Sequence, residues 1–390
     1  MNSRSYNIRA LDGIRGLAII LVMLHHFEIL IPASNPAVAA AKLAFSFGWM
    51  GVDLFFALSG FLITGILLDS RSAKNYFSAF YARRVLRIFP LYYSVLTVVL
   101  IAAALIRPRP RSLPVVADQK LYYLYLVNWL GLWKGPWGAN FLAHFWSLAV
   151  EEQFYLVWPL CVWLLIRRNL ARMAVVASLT ALLVRIVWLA QTGPSQAIVC
   201  ATVTRMDSLL CGSLGAILFR DVRVLNTLRK YSPWTACTAL SCFAVGGAWL
   251  RAVRGPGSKL FFIESIGFTL LAVGFSALIL HTALTDGEAT LTQRVLRNKV
   301  LSKFGKYSYG IYVYHVPLLG ASLALTKERF GSVKGQLWFG ALSVALLFAG
   351  SFLIAVISYE GFERRFLNLK RYFEPKKVEV PEITAAEMAI

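Results

Sequence analysis

Apolar runs of roughly 18 to 25 residues recur along this chain, the length an α-helix needs to cross the hydrocarbon of a bilayer. They begin near residues 14, 47, 88, 142, 173, 203, 233, 260, 308 and 336. Within lipid every backbone N–H and C=O must be satisfied inside the segment, so such runs read as helices. The expected fold is all-α: a polytopic membrane protein with about ten transmembrane helices in a single bundle. A content of 58% hydrophobic and 15% charged residues agrees with that class. No internal repeat, low-complexity tract or soluble domain interrupts the pattern. One membrane domain over residues 1–366 and a cytoplasmic C-terminal tail over 367–390 are expected.

The formal charge of +21 would suit a nucleic-acid partner, so its distribution decides its meaning. With a cytoplasmic N-terminus, the inside connections hold 25 of the 40 Lys and Arg and the outside connections 12, with Arg15, Arg185 and Arg205 inside helices. That asymmetry sets membrane topology. It places both termini in the cytoplasm, and no nucleic-acid motif accompanies it. One connection fits less well: the segment from Arg107 to Asn140 carries Arg107, Arg109, Arg111, Lys120 and Lys134 yet falls outside. Its middle, KLYYLYLVNWLGLW, has the aromatic content of an interfacial segment and could dip into the membrane.

The first run, LDGIRGLAIILVMLHHF, is a transmembrane helix rather than a cleaved signal, despite the small residues Ala37-Val38-Ala39 downstream, because Arg15, His25, His26 and Glu28 do not belong in a signal core. The five cysteines are scattered and odd in number, which supports neither a disulfide framework nor a zinc site.

An arginine within a hydrophobic helix is costly unless something satisfies it. Eleven residues separate Arg15 from His26, about three turns plus roughly 20°, so the two share one face about 16 Å apart along the axis. Asp12, three residues before Arg15, can pair with it. The plain reading is an ion pair and a histidine satisfied within the bundle. Other ionisable residues are expected at the depth of His26: Asp53 in the second span, followed by Ser59; Glu151 and Glu152 in the fourth, with Ser147 one turn earlier; Arg205 and Asp207 in the sixth. A water-accessible cavity would account for them together. His26 beside one of the carboxylates Asp53, Glu151 or Glu152 would be equipped to take a proton from a hydroxyl.

At the cytoplasmic side, YARRVLRIFPLYY brings Arg83, Arg84 and Arg87 to the mouth of the third span. Such arginines serve topology and lipid phosphates, or hold a phosphate-bearing ligand, which guanidinium grips bidentately. The ninth span opens with Tyr307, Tyr309 and Tyr312, an aromatic belt, and carries His315 further in. No metal is expected, since no two histidines stand at ligand spacing with a carboxylate on the same face. No nucleophile elbow, phosphate loop or dinucleotide fingerprint is present.

Six motifs, in order, carry a family resemblance: LDGIRG with His26 after it, GVDLFFALSGFLI, RRVLRIFPLYY, FWSLAVEEQFYLVWPL, TRMDSLLCG and YSYGIYVYHVPLL. The chain resembles the acyltransferase-3 family of integral-membrane acyltransferases from Leu11 to about Phe366. The resemblance implies an O-acyltransferase of the bacterial cytoplasmic (inner) membrane. It would use a cytoplasmic acyl-CoA, commonly acetyl-CoA, as co-substrate, with no bound cofactor. The acceptor would be a hydroxyl of a cell-surface or lipid-linked glycan, such as exopolysaccharide, lipopolysaccharide or a lipochitooligosaccharide. Membrane lipid and polysaccharide-assembly proteins are the other expected partners. His26 matches the family's general base and Arg15 its partner in donor binding or orientation; Arg84, Arg87, Glu151 and His315 match further functional positions. Two departures stand out. The last span ends Glu363-Arg364-Arg365 where family members often have Glu-x-Pro, so the helix exit is expected to differ. The esterase-like C-terminal domain of some members is also missing from these residues, so action without it, or with a separate partner, is expected. The competing class is a multi-pass transporter or proton-coupled exporter, which also places ionisable groups in several helices. Such proteins often show paired inverted halves, and none is visible here.

Overall fold

The computed structural model describes residues 8–105, 118–134, 141–254, 260–329 and 336–376. Among them all regular structure is helical. Ten long helices follow one another: α1 (Arg9–Phe27), α2 (Met50–Ser70), α3 (Tyr76–Leu105), α4 (Phe145–Leu164), α5 (Arg167–Thr192), α6 (Thr202–Leu218), α7 (Leu225–Arg254), α8 (Phe268–Leu284), α9 (Ser308–Arg329) and α10 (Leu337–Ser358). Seven of them, all but α4, α7 and α9, are long and apolar enough to cross a membrane. The other three are 20, 30 and 22 residues long and are diluted by polar side chains, in α4 by Glu151, Glu152 and Gln153. The chain is a multi-span, all-α membrane protein.

α1 lies at the centre. Its residues Ile19, Val22, Met23 and Phe27 join one apolar cluster, and Leu11, Ile14 and Ala18 join a second. The glycines of its LDGIRG motif are what bring neighbours so near. A Cβ on Gly13 would collide with the carbonyl of Leu296, and one on Gly16 with that of Leu301. Two short helices, Leu291–Leu296 and Lys299–Lys306, therefore lie directly on α1. Gly60 of α2 and Gly212 of α6 do the same for that pair, each facing a carbonyl of the other helix. Small residues at crossings let transmembrane helices gain dispersion contacts that lipid would otherwise supply equally well.

The segment expected at the interface packs one side against α3 and α4 and leaves Tyr123, Leu124, Leu132 and Trp133 exposed. Tyr122, Val127 and Asn128 are fully buried. The Tyr92 hydroxyl of α3 donates to the Tyr122 carbonyl at 2.7 Å, and Gln153 of α4 donates to the Asn128 side chain at 2.9 Å. Arg107, Arg109 and Arg111, which carried much of the segment's charge, lie outside the described residues.

At the other end, the chain continues past α10 through a π-helical turn, Tyr359–Glu363, a short helix, Arg364–Asn368, and a 3₁₀ turn, Leu369–Phe373. No proline stops it at Glu363, so the helix runs on. Residues 374–376 of the expected tail are tied to the start of α3. The Asn75 side chain donates to the Glu374 carbonyl at 2.9 Å and accepts from the Lys376 amide at 2.7 Å, while the Lys74 amide donates to the Lys376 carbonyl at 3.1 Å. The rest of the expected tail, 377–390, lies outside the described residues.

Candidate functional site

A cavity of about 820 Å³ opens between α2, α3, α4 and α9. Arg83, Arg84 and Arg87 of α3 reach one end of it, together with Arg15 of α1 and Lys370 of the returning C-terminal segment. These cations have the right neighbours to stay oriented. The Arg84 guanidinium lies 5.1 Å from the Tyr155 ring centre and that of Arg87 lies 5.8 Å from the Tyr309 ring, while the Tyr309 hydroxyl donates to the Ile88 carbonyl at 2.7 Å. Cation–π contacts hold a guanidinium without neutralising it. Among the described residues Arg83, Arg84 and Arg87 form no ion pair, so their charge is available to a ligand. Arg15 pairs with Asp12, one turn back on α1.

Deeper in, the lining becomes mixed. Ser59 of α2 bonds to the Tyr155 hydroxyl, and Glu151 lies beside both, facing Arg84. Glu152 also lines the cavity, with one carboxylate oxygen buried and unpartnered. The inner end is formed by Ser147 and Tyr312, whose hydroxyls are 2.5 Å apart, the Tyr312 hydroxyl also donating to the His144 carbonyl at 3.0 Å.

Behind that pair stands a stack of imidazoles. His315 is fully buried, its ring centre 4.9 Å from that of His26 and 5.0 Å from that of His144, both edge to face. His26 Nδ1 lies 2.9 Å from the Val22 carbonyl, and His315 Nδ1 lies 2.7 Å from the Tyr312 carbonyl. A carbonyl only accepts, so both Nδ1 atoms carry hydrogen and both Nε2 atoms carry the lone pair. His315 Nε2 then faces His26 Nδ1–H at 3.4 Å. His26 thus has its proton-accepting nitrogen fixed as Nε2 by a carbonyl and a second imidazole. Among the described residues no carboxylate bonds to it, contrary to the expected pairing with Asp53, Glu151 or Glu152. The rings stack rather than converge, and among the described residues no group of three His, Cys, Asp or Glu could hold a metal ion.

Asp53, Arg205 and Asp207 lie elsewhere. Asp53 accepts from Arg205 at 2.8 Å and from the Ser208 hydroxyl at 3.0 Å; Asp207 accepts from Arg185 at 2.8 Å and from Thr269 at 2.8 Å. All four charged side chains are essentially without solvent contact, and the Arg205 guanidinium also lies 3.6 Å over the Phe268 ring. These charges pair with one another, tying α6 to α2 and α5, while Asp53 Oδ2 and Arg205 Nε and Nη1 are buried without a hydrogen-bond partner among the described residues. The shared cavity expected for all the ionisable groups is therefore lined by Glu151 and Glu152 but not by His26, Arg205, Asp53 or Asp207.

Sequence reasoning read Tyr312 as part of an aromatic belt and did not single out Tyr155, which stands in the middle of α4. His144 was passed over, since it opens α4 as an apparent helix-end residue. Nothing local distinguished Lys370, whose place at the cavity follows from the return of the chain to Asn75.

A basic mouth leading inward to paired hydroxyls, with a buried imidazole stack behind Tyr312, outlines a candidate internal site in a polytopic membrane protein. A family model described as an acyltransferase domain matches residues 8–360, and the chain belongs to that family, acyltransferase-3. It is 28% identical to the peptidoglycan O-acetyltransferase OatA of Listeria monocytogenes, an alignment covering 96% of this chain and 58% of that protein. It is also 28% identical to the O-acetyltransferase OatA of Staphylococcus aureus strain NCTC 8325, over 94% of this chain and 59% of the relative. The putative peptidoglycan O-acetyltransferase YrhL of Bacillus subtilis is 28% identical over 80% of this chain and 48% of its own length. The chain thus spans less than two thirds of the length of these relatives. No solved structure matches it.

Proposed function

We propose that this protein is a membrane-embedded O-acyltransferase of the bacterial cytoplasmic membrane. It would move an acyl group, acetyl by analogy with its relatives, from a cytoplasmic acyl-CoA to a hydroxyl of a cell-surface glycan. The observation that carries this reading is the cavity itself: unpaired arginines at one end, and Ser147 and Tyr312 at the other, the Tyr312 ring centre 5.5 Å from that of His315, which stacks in turn on His26. Phosphates of the donor match Arg84 and Arg87, with Arg15 nearby, and the thioester arm extends inward past Tyr155 and Glu151. The positive-inside bias supports a cytoplasmic mouth and cytoplasmic termini, and the membrane domain is taken to run from residue 1 to 366. Peptidoglycan is the acceptor that the relatives' names favour.

On this reading His26 Nε2 takes the proton of the acceptor hydroxyl as its oxygen attacks the thioester carbonyl. The C–S bond breaks, and the same imidazolium returns the proton to the departing thiolate. His315 Nε2 accepts from His26 Nδ1–H throughout and strengthens as positive charge develops, the part a carboxylate plays in other acid–base pairs. The acyl group travels either directly or by way of an ester on Ser59 or Ser147; trapping labelled acyl groups on native protein and on the Ser59→Ala and Ser147→Ala variants separates these routes. The overall reading is tested by supplying radiolabelled acetyl-CoA to membranes that contain the protein and fractionating the products. Label appearing as base-labile ester on glycan supports it, and label confined to free acetate in every fraction overturns it.

A further inference from the structure

The C-terminal segment borders a second, open hollow. It holds about 490 Å³ and is lined by Arg83, Leu367, Asn368, Lys370, Arg371 and Glu374. Arg83 and Lys370 line both this hollow and the main cavity, so the two spaces meet there. Lys370 lies close enough to Arg87, Arg84 and Arg83 to feel their charge. Like charges facing one another repel, and the strain is relieved by an anion among them, by water, or by loss of the Lys370 proton, which burial and these arginines favour. Asn75 holds the segment in place through two hydrogen bonds to backbone on either side of Pro375. The exposed Arg371 side chain is steadied by the Tyr372 hydroxyl at 2.8 Å. A positive hollow continuous with the cavity, and fixed there by a built-in clasp, is what an extended anionic ligand with a terminal phosphate would need.

We propose that residues 369–376 form a strap that binds the phosphomonoester at the nucleotide end of the donor, held by Arg83, Lys370 and Arg371, while the diphosphate of the same molecule lies deeper at Arg84 and Arg87. This rests on the acyl-CoA reading and refines it. The strap is then part of the binding site, and Asn75 is a positioning residue for it. A phosphomonoester carries close to two charges and three acceptor oxygens, so it rewards several converging cations more than a phosphodiester does. A lipid headgroup offers the same phosphate chemistry in diester form, and the test below separates the two.

Binding of coenzyme A and of 3′-dephospho-coenzyme A to the purified full chain is measured by calorimetry. Neutral phosphatidylcholine nanodiscs are used first, then nanodiscs that also contain phosphatidylglycerol. The native protein is expected to bind coenzyme A about tenfold or more tightly than the dephospho form, the size of one charge-assisted contact. Arg371→Gln and Asn75→Ala are expected to lose most of that difference while keeping their affinity for the dephospho form, whereas Arg84→Gln weakens both ligands. Native protein that binds neither ligand overturns the donor reading itself, and the strap proposal with it. Native protein that binds both equally, or discrimination that survives in Arg371→Gln and Asn75→Ala, overturns the strap proposal alone. Discrimination abolished by phosphatidylglycerol assigns the hollow to lipid headgroups and also overturns it.

Discussion

His315 Nε2 lies 3.4 Å from His26 Nδ1, two imidazoles from helices 289 residues apart in sequence. That distance is long for a hydrogen bond and suits a contact that tightens when one ring becomes cationic. Replacing His315 with Phe keeps a ring in the stack and removes the acceptor. Acyl transfer per mole of folded protein is then expected to fall about 10- to 100-fold, while His315→Gln, which restores an acceptor oxygen, recovers part of it. A His315→Phe variant with undiminished turnover would show that the second imidazole only packs.

Asp53 and Arg205 are expected to act on folding rather than on chemistry. Removing either partner leaves a buried charge uncompensated, a loss of about 3–5 kcal/mol. Asp53→Leu and Arg205→Met should each lower thermal stability in detergent strongly, and the double variant should lie closer to native than either single one. A double-variant cycle without coupling would argue against the pair.

The cations at the mouth should affect donor binding selectively. Arg84→Gln is expected to raise the KM for acetyl-CoA about tenfold or more while kcat changes by less than about threefold, since a contact made equally in ground and transition states alters KM alone. Arg84→Lys should not fully rescue it, because an ammonium cannot grip phosphate bidentately. Steady-state kinetics at fixed ionic strength decide this.

The glycines of LDGIRG set the seat of α1. Gly13→Ala or Gly16→Ala forces a methyl against a neighbouring backbone carbonyl. Each should cost about 1–3 kcal/mol by overpacking, read as a lower unfolding midpoint of the purified protein. Activity would be lost with stability, because Arg15 and His26 ride on the same helix.

Much of the fold was legible because lipid imposes one requirement on every span: ten long helices overlap the ten apolar runs, although α3 begins at Tyr76 and α7 at Leu225, well before the expected starts near 88 and 233. The shared face of Arg15 and His26 followed from helical geometry, and the Arg15–Asp12 pair from their three-residue spacing. Charge pairing between helices was not legible. Asp53 meets Arg205 across 152 positions and Asp207 meets Arg185 across 22, and nothing in the local pattern says which cation an aspartate will find. The contacts of the polar tail were not legible for a related reason. Residues 367–376 are polar by composition, but their clasp is Asn75, about 300 positions earlier.

The central claim, that His26 removes the proton of an acceptor hydroxyl, is tested most directly by acyl transfer from radiolabelled acetyl-CoA in membranes holding the native protein or His26→Ala at matched abundance. The account predicts glycan-bound label with the native protein and a fall of about 100-fold or more with the variant. Equal labelling by the two would contradict it and leave the His26–His315 stack a purely structural feature.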